Sequence, residues 1–205
     1  MSDLLTGPVR PADAAALARL HRQSFPGFFL SQLGEPFLRE FYLGFVDDPS
    51  AISVVARDAA GHPVGAVVGT VEPQGFYKRL LRRRLLGLGL ASARAAVRRP
   101  RSIGRLLRGA SYRGEAGEVG TPAGALLSSI CTEPRLQGTG VGRRLVAEWE
   151  RAAAAKGASS AHLSTDAVAN EGANAFYHQC GWRLDTEYMT REGRRMNLYT
   201  KELLP

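Results

Sequence analysis

The 205-residue sequence has only two cysteines, Cys131 and Cys180, too few for a disulfide framework and without paired metal-ligand spacing, so no metal is expected. A reducing, cytoplasmic setting fits that scarcity. No stretch reaches the roughly 18 uninterrupted apolar residues of a membrane span, and the opening MSDLLTGPVRPADAA lacks a basic run followed by an apolar one. Neither insertion into a membrane nor export is therefore expected. Internal repeats are absent. Acids are missing between Pro73 and Gly114, where twelve Lys and Arg residues fall. The remainder holds 15 basic residues against 19 acids, a balance of −4, so the net charge of +8 belongs to this one segment. That distribution argues against a general nucleic-acid binder and for a local role of residues 73–114.

A hydrophobic fraction of 44% with 22% charged residues is ordinary for a globular chain, and the length suits one domain over 1–205. Residues 12–24 place Ala15, Leu17, Ala18 and Leu20 near helical spacing, and 35–46 place Phe37, Phe41 and Phe45 four apart after Pro36 in a first turn. Ile52–Arg57 and Val64–Val71 are β-branched runs around the turn residues Asp58–Pro63 and predict a hairpin. From Phe76 to Leu88, apolar residues three to five apart alternate with Lys78, Arg79, Arg82, Arg83 and Arg84, the pattern of a basic amphipathic helix. A second basic cluster covers Arg98–Arg108, and 114–124 is rich in glycine. Thereafter the pattern predicts a strand at Leu126–Cys131, a helix at Val141–Lys156 with Leu145, Val146 and Trp149 on one face, and a strand at Ala161–Asp166. A helix at Asn170–Cys180 and strands at about Trp182–Tyr188 and Arg195–Lys201 close the chain.

Chemistry concentrates in the segment between the Leu126–Cys131 strand and the helix that follows. Gln137-Gly138-Thr139-Gly140-Val141-Gly142-Arg143 puts three glycines at alternate positions where a strand turns into a helix. Without side chains the backbone approaches a ligand closely, and the first helical N–H groups have no intrahelical partner. They point together with the positive end of the helix dipole, which suits a diphosphate, and Arg143 and Arg144 add charge. The alternative is a tight connection with no ligand. A dinucleotide fingerprint would need a third glycine where Arg143 stands, and the Gly-Lys-Ser/Thr ending of a triphosphate loop is missing.

The pattern Gln-x-x-Gly-x-Gly, as Gln137, Gly140 and Gly142, resembles the acetyl-CoA signature of the GNAT superfamily of N-acetyltransferases. Downstream, Asn170, Ala173, Phe176, Tyr177, Gly181 and Trp182 resemble that family's second signature, with Trp182 where Phe is usual. The resemblance is specific over about Leu126 to Trp182. It implies a mixed α/β (α+β) fold with a mostly antiparallel central sheet flanked by helices, here carrying 73–114 as a basic helical insertion. It also implies acetyl-CoA as co-substrate, bound by Gln137, Gly138, Thr139, Gly140, Val141, Gly142, Arg143 and Asn170. The strand before the turn would be splayed from its neighbour, with amides of Ile130, Cys131 and Thr132 on the thioester carbonyl, where a fixed donor stabilises developing negative charge.

By the same resemblance Tyr177 binds the cofactor and protonates the departing thiolate; a phenol of pKa about 10 is a plausible donor to a thiolate of about 8.5. Its place on the apolar stripe with Phe176 also fits plain packing, as the position of Asn170 fits a helix N-cap. The acceptor ammonium must lose a proton first, and the candidate bases are Glu72 and Asp166, each also readable as a turn or capping residue. His162 reads as a packed or surface histidine and His21 as exposed on its helix. Cys131 has no positioned histidine and reads as a small apolar residue, so direct transfer is expected. The insertion reads as a cap over the acceptor groove, or as arginines that meet anionic groups: membrane headgroups, nucleic acid, or an anionic or nucleotide-linked amine such as an amino sugar. The expected acceptor is a primary amine of a small molecule, with a protein N-terminus or lysine, or a non-catalytic basic adaptor, as alternatives, in a monomer or homodimer.

Overall fold

The computed structural model describes residues 4–26, 29–84, 87–88, 122–190 and 193–203. Seven strands form one sheet: β1 (Leu5–Gly7), β2 (Ala51–Arg57), β3 (Pro63–Thr70), β4 (Ala125–Thr132), β5 (Ser160–Asp166), β6 (Arg183–Met189) and β7 (Arg195–Glu202). Their order is β1-β2-β3-β4-β5-β7-β6, and every neighbouring pair is antiparallel except β4 with β5. The expected hairpin is β2 and β3, whose turn is fixed by Asp58 accepting from the backbone N–H groups of Ala60 and His62. Among the described residues the α-helices are α1 (Ala14–Ser24), α2 (Phe29–Gln32), α3 (Glu35–Asp47), α4 (Pro73–Arg83), α5 (Val141–Ala155) and α6 (Glu171–Gln179).

Alternation along the strands sorts the core into two layers. On one face Val55, Ala66, Val68 and Cys131 pack under α1, α3 and α4, and the aromatic row Phe37, Phe41 and Phe45 of α3 is buried there as its spacing predicts. On the other, Ile52, Val54, Val64, Val67 and Leu127 meet Leu145, Val146 and Trp149 of α5. Two details of α1 differ from the sequence pattern: Ala14 is buried while Ala15 is exposed, and His21 is 2% exposed. His21 stands four residues after Leu17, so helical geometry carries both to the same face.

The basic amphipathic helix is α4, which turns at Pro73–Gly75 and is regular from Phe76. Phe76, Tyr77 and Leu80 are buried. A Cβ on Gly44 of α3 would lie 2.4 Å from Leu80 Cγ, so the glycine permits the close approach of the two helices. The basic side of α4 is held by acids of α3 and its end. Arg79 and Arg83 reach Asp48 at 2.9 and 3.2 Å, and Arg84 pairs with Glu40 and Asp47. The cluster Arg98–Arg108 and the glycine-rich 114–121 lie outside the described residues. No described helix is long and apolar enough to cross a membrane.

Candidate active site

β4 and β5 pair only at Ala125↔Ala161 and Leu126↔His162, and beyond that point they diverge. A bulge contributes: Val68 faces Ser129 and Gly69 faces Leu127, so Ser128 has no register partner and β4 bends. β5 meanwhile stays paired to β7 from Ser160↔Glu202 to Asp166↔Met196. The wedge so formed exposes one backbone edge of β4 from Leu127 to Thr132, the splay implied for that strand. It is the floor of a cleft of about 1280 Å³.

At the cleft mouth stands the turn into α5. Gly138 has φ 76° and Gly140 has φ 90°, the left-handed region where a side chain costs about 1–2 kcal/mol. A Cβ on either would meet nothing within 4 Å, so their faces are open to a ligand. Thr139 N–H bonds back to Leu136 O, whereas among the described residues the N–H groups of Gly138, Gly140, Val141, Gly142 and Arg143 find no acceptor. Gln137, Gly138, Thr139, Gly140, Gly142 and Arg143 line the cleft, while Val141 is buried among the residues packed under α5. Gly142 has a second role: a Cβ there would be 3.2 Å from the Phe176 ring, so the glycine lets α5 close on α6. Arg144 is turned aside to Glu148 at 3.0 Å. Five amides without acceptors beside a cationic side chain fit a diphosphate linker.

Ile130, Cys131 and Thr132 line the floor. Burial pushes the Cys131 thiol up to about 11, its Sγ lies 3.6 Å from the Tyr42 hydroxyl, and it is a poor nucleophile in that state. Thr132 O accepts from Ser24 Oγ at 3.2 Å. Tyr177 lines the cleft between Phe176 and Trp182 and is 7% exposed. Burial, with Cys180 and Tyr199 nearby, raises its pKa above the ordinary phenol value. Its hydroxyl makes no side-chain hydrogen bond among the described residues.

Asn170 occupies the N-cap position of α6 but does not cap it. Both its amide hydrogens are spent, on Thr165 Oγ1 at 2.8 Å and Asp166 O at 3.1 Å, leaving Oδ1 as its acceptor. Asp166 lines the cleft, and Arg194 donates to both carboxylate oxygens at 2.7 Å. Glu72, 65% exposed at its side chain, lies 3.4 Å from Arg79 and is not among the lining residues. The two candidate bases are thus separated. His21, which sequence reasoning left on the surface, lines the cleft with Nδ1 3.1 Å from the Tyr42 hydroxyl; its spacing from Leu17 is the signal that finds it. His162 sits at the vertex of the wedge, where burial pushes its pKa down to about 4 and keeps it neutral.

Residues 14–182 match the model of the acetyltransferase (GNAT) family. The chain belongs to that family. Its reaction class is acetyl transfer, and acetyl-CoA is the family's co-substrate. Solved structures agree on the fold. A protein from Desulfovibrio desulfuricans described as an acetyltransferase of the GNAT family superposes with a TM-score of 0.64 at 15% identity, covering 98% of this chain and 99% of its own. A Salmonella typhimurium protein described as an acetyltransferase and solved with its cofactor acetyl-CoA gives 0.63 at 13% identity, covering 100% and 96%. An aminoglycoside 6'-acetyltransferase type Ii gives 0.63 at 17% identity, covering 98% of each chain. A search of curated proteins finds no sequence match.

Proposed function

We propose that this GNAT chain is an N-acetyltransferase that moves the acetyl group of acetyl-CoA directly to the primary amine of a small molecule. The observation that carries this reading is the row of acceptor-free amides from Gly138 to Arg143 at the mouth of the wedge between β4 and β5. Acetyl-CoA supplies an acetyl group on a thioester: a C–N bond forms, the C–S bond breaks, the amine gives up a proton and the sulfur gains one.

The chain's residues divide those tasks. The turn amides and Arg143 hold the diphosphate, and the free edge of β4 takes the arm as an added strand, with the amides of Ile130 and Thr132 set for the carbonyl, while alternation along the strand turns the Cys131 N–H toward Ala66 of β3. Asn170 contributes Oδ1 to an amide of the arm. Tyr177 donates its proton at the sulfur; the burial that weakens the phenol as an acid also raises the proton affinity of a thiolate in the same place. His21 is assigned to receive the amine proton, because Glu72 stands outside the cleft and Asp166 has both oxygens on Arg194. With its raised pKa, Cys131 supports transfer without an acyl-enzyme.

Thermal unfolding with acetyl-CoA and with NAD tests the assignment, since a ligand held by the native state alone raises Tm. A rise with acetyl-CoA and none with NAD is expected, along with thiol release that depends on an added amine. Equal shifts, or thiol release indifferent to amine, would sink it.

A further inference from the structure

The cleft has two chemically different ends. Arg143 lines it by the turn into α5, and Asp166 with Arg194 lines it at the far end of β5. On the α1, α3 and α4 side of β4 the lining consists of Phe25, Leu30, Phe37, Phe41, Leu80 and Leu81, joined by Tyr77 and Leu88. The polar groups there are neutral or an imidazole: Ser24, Ser128, Ser129 and His21. No carboxylate, lysine or arginine lines that wall among the described residues. Of the arginines on α4 and at its C-terminal end, none lines the cleft, and Arg79, Arg83 and Arg84 pair with Asp48, Asp47 and Glu40. Tyr77 donates to Ser128 Oγ at 2.8 Å, tying α4 to the bulge of β4 and setting the apolar wall beside the exposed strand edge.

A substrate with a second ammonium needs a carboxylate to hold it, and an anionic one needs a cation; this wall provides neither. From these observations we infer that the acceptor is a primary amine on an uncharged apolar body, aryl-alkyl or alkyl, whose hydrocarbon part packs on Phe37, Phe41, Leu80 and Leu81. The inference rests on the N-acetyltransferase reading. Because the family's donor is acetyl-CoA, its short acyl group leaves the apolar wall to the acceptor.

The test uses the full chain with acetyl-CoA in a thiol-release assay. The amines are 2-phenylethylamine, hexylamine, putrescine, spermidine, glucosamine and a short peptide with a free N-terminus. Both apolar amines are expected to exceed every other by at least about tenfold in kcat/KM, in line with the discrimination of an apolar pocket. Leu81→Glu should cut kcat/KM for 2-phenylethylamine by about tenfold and narrow the gap to putrescine, with the Kd of acetyl-CoA, measured by calorimetry, unchanged. Preference for spermidine, glucosamine or the peptide overturns the inference. So does faster transfer from octanoyl-CoA than from acetyl-CoA to 2-phenylethylamine, which would give the wall to an acyl chain. If no amine reacts, thermal shift in the presence of coenzyme A decides: stabilisation by hexylamine or 2-phenylethylamine but not spermidine supports the inference, and none overturns it. Failure of acetyl-CoA to bind at all marks failure of the underlying reading instead.

Discussion

Replacing Tyr177 with Phe separates its two readings, because the ring is packed while the hydroxyl has no protein hydrogen-bond partner among the described residues. The ring contacts, with centroids 5.3 Å from Phe176 and 5.8 Å from Tyr199, survive the change. On the catalytic reading, what is lost is one proton donor at the departing sulfur. General-acid contributions run about 10²–10⁴-fold, and since water can partly stand in, a fall in kcat of about 10²-fold is expected, or roughly 2.7 kcal/mol of barrier. The Kd of acetyl-CoA, by calorimetry, should be unchanged. Stability should change little, because the packed ring is kept and no hydrogen bond among the described residues is lost. Each kcal/mol is worth about 2–4 °C of Tm in a domain of this size. The raised pKa adds a sign: stability attributable to the phenol is complete below the unfolded value of about 10 and is lost above it, where the unfolded tyrosine ionises first. The variant should therefore lose less stability than the parent in strong base. A kcat within about threefold of the parent together with a lower Tm would refute the catalytic role and leave Tyr177 as packing.

Gly140→Ala forces a side chain into a left-handed residue at a cost of about 1–2 kcal/mol. If the turn relaxes to relieve it, the amides of Val141 to Arg143 move off the phosphates, and the Kd of acetyl-CoA should rise about tenfold in calorimetry. For Asp48, burial pushes the carboxyl pKa up, but hydrogen bonds from Arg79 and Ser50 outweigh it and the pKa is lowered. Its stabilisation is then present above the unfolded value of about 3.9 and is lost as pH falls through the lower folded one, so the Tm advantage of the parent over Asp48→Asn should shrink below about pH 4. An advantage that stays constant down to pH 2 would show that the ion pair has no such role.

Local patterns were legible wherever a local cause sets the structure. The alternate glycines of 138–142, the hairpin of β2 and β3, the buried face of α5 and the stripe of α6 follow from periodicity and turn chemistry. What escaped depends on residues far apart in sequence. Arg83 and Arg84 read as free cations within a segment lacking acids, yet their partners Glu40, Asp47 and Asp48 lie 35 to 44 positions earlier and arrive when Gly44 lets α4 dock on α3. Glu72 and Asp166 read as equivalent bases because a strand end does not reveal which arginine will meet it. Insertion of β7 between β5 and β6 brings Arg194 to Asp166, and it also fixes the long pairing that keeps β5 from following β4.

The wedge also explains why one cleft has two chemistries. Past Leu126, β4 alternates its side chains between the layers: Leu127 and Ile130 go toward α5, while Ser129 lies near the Tyr42 hydroxyl and Cys131 packs under α3. The exposed edge between them belongs to neither layer, so a chain lying along it is flanked by the amide-rich turn on one side and by the aromatic row of α3 on the other. Charge is tolerated at the first, where the helix end and Arg143 meet water; at the second, a charged group would give up its hydration with no partner among the described residues. On the proposed reading, the same bend that frees the edge of β4 gives the phosphate one side and the acceptor's hydrocarbon the other.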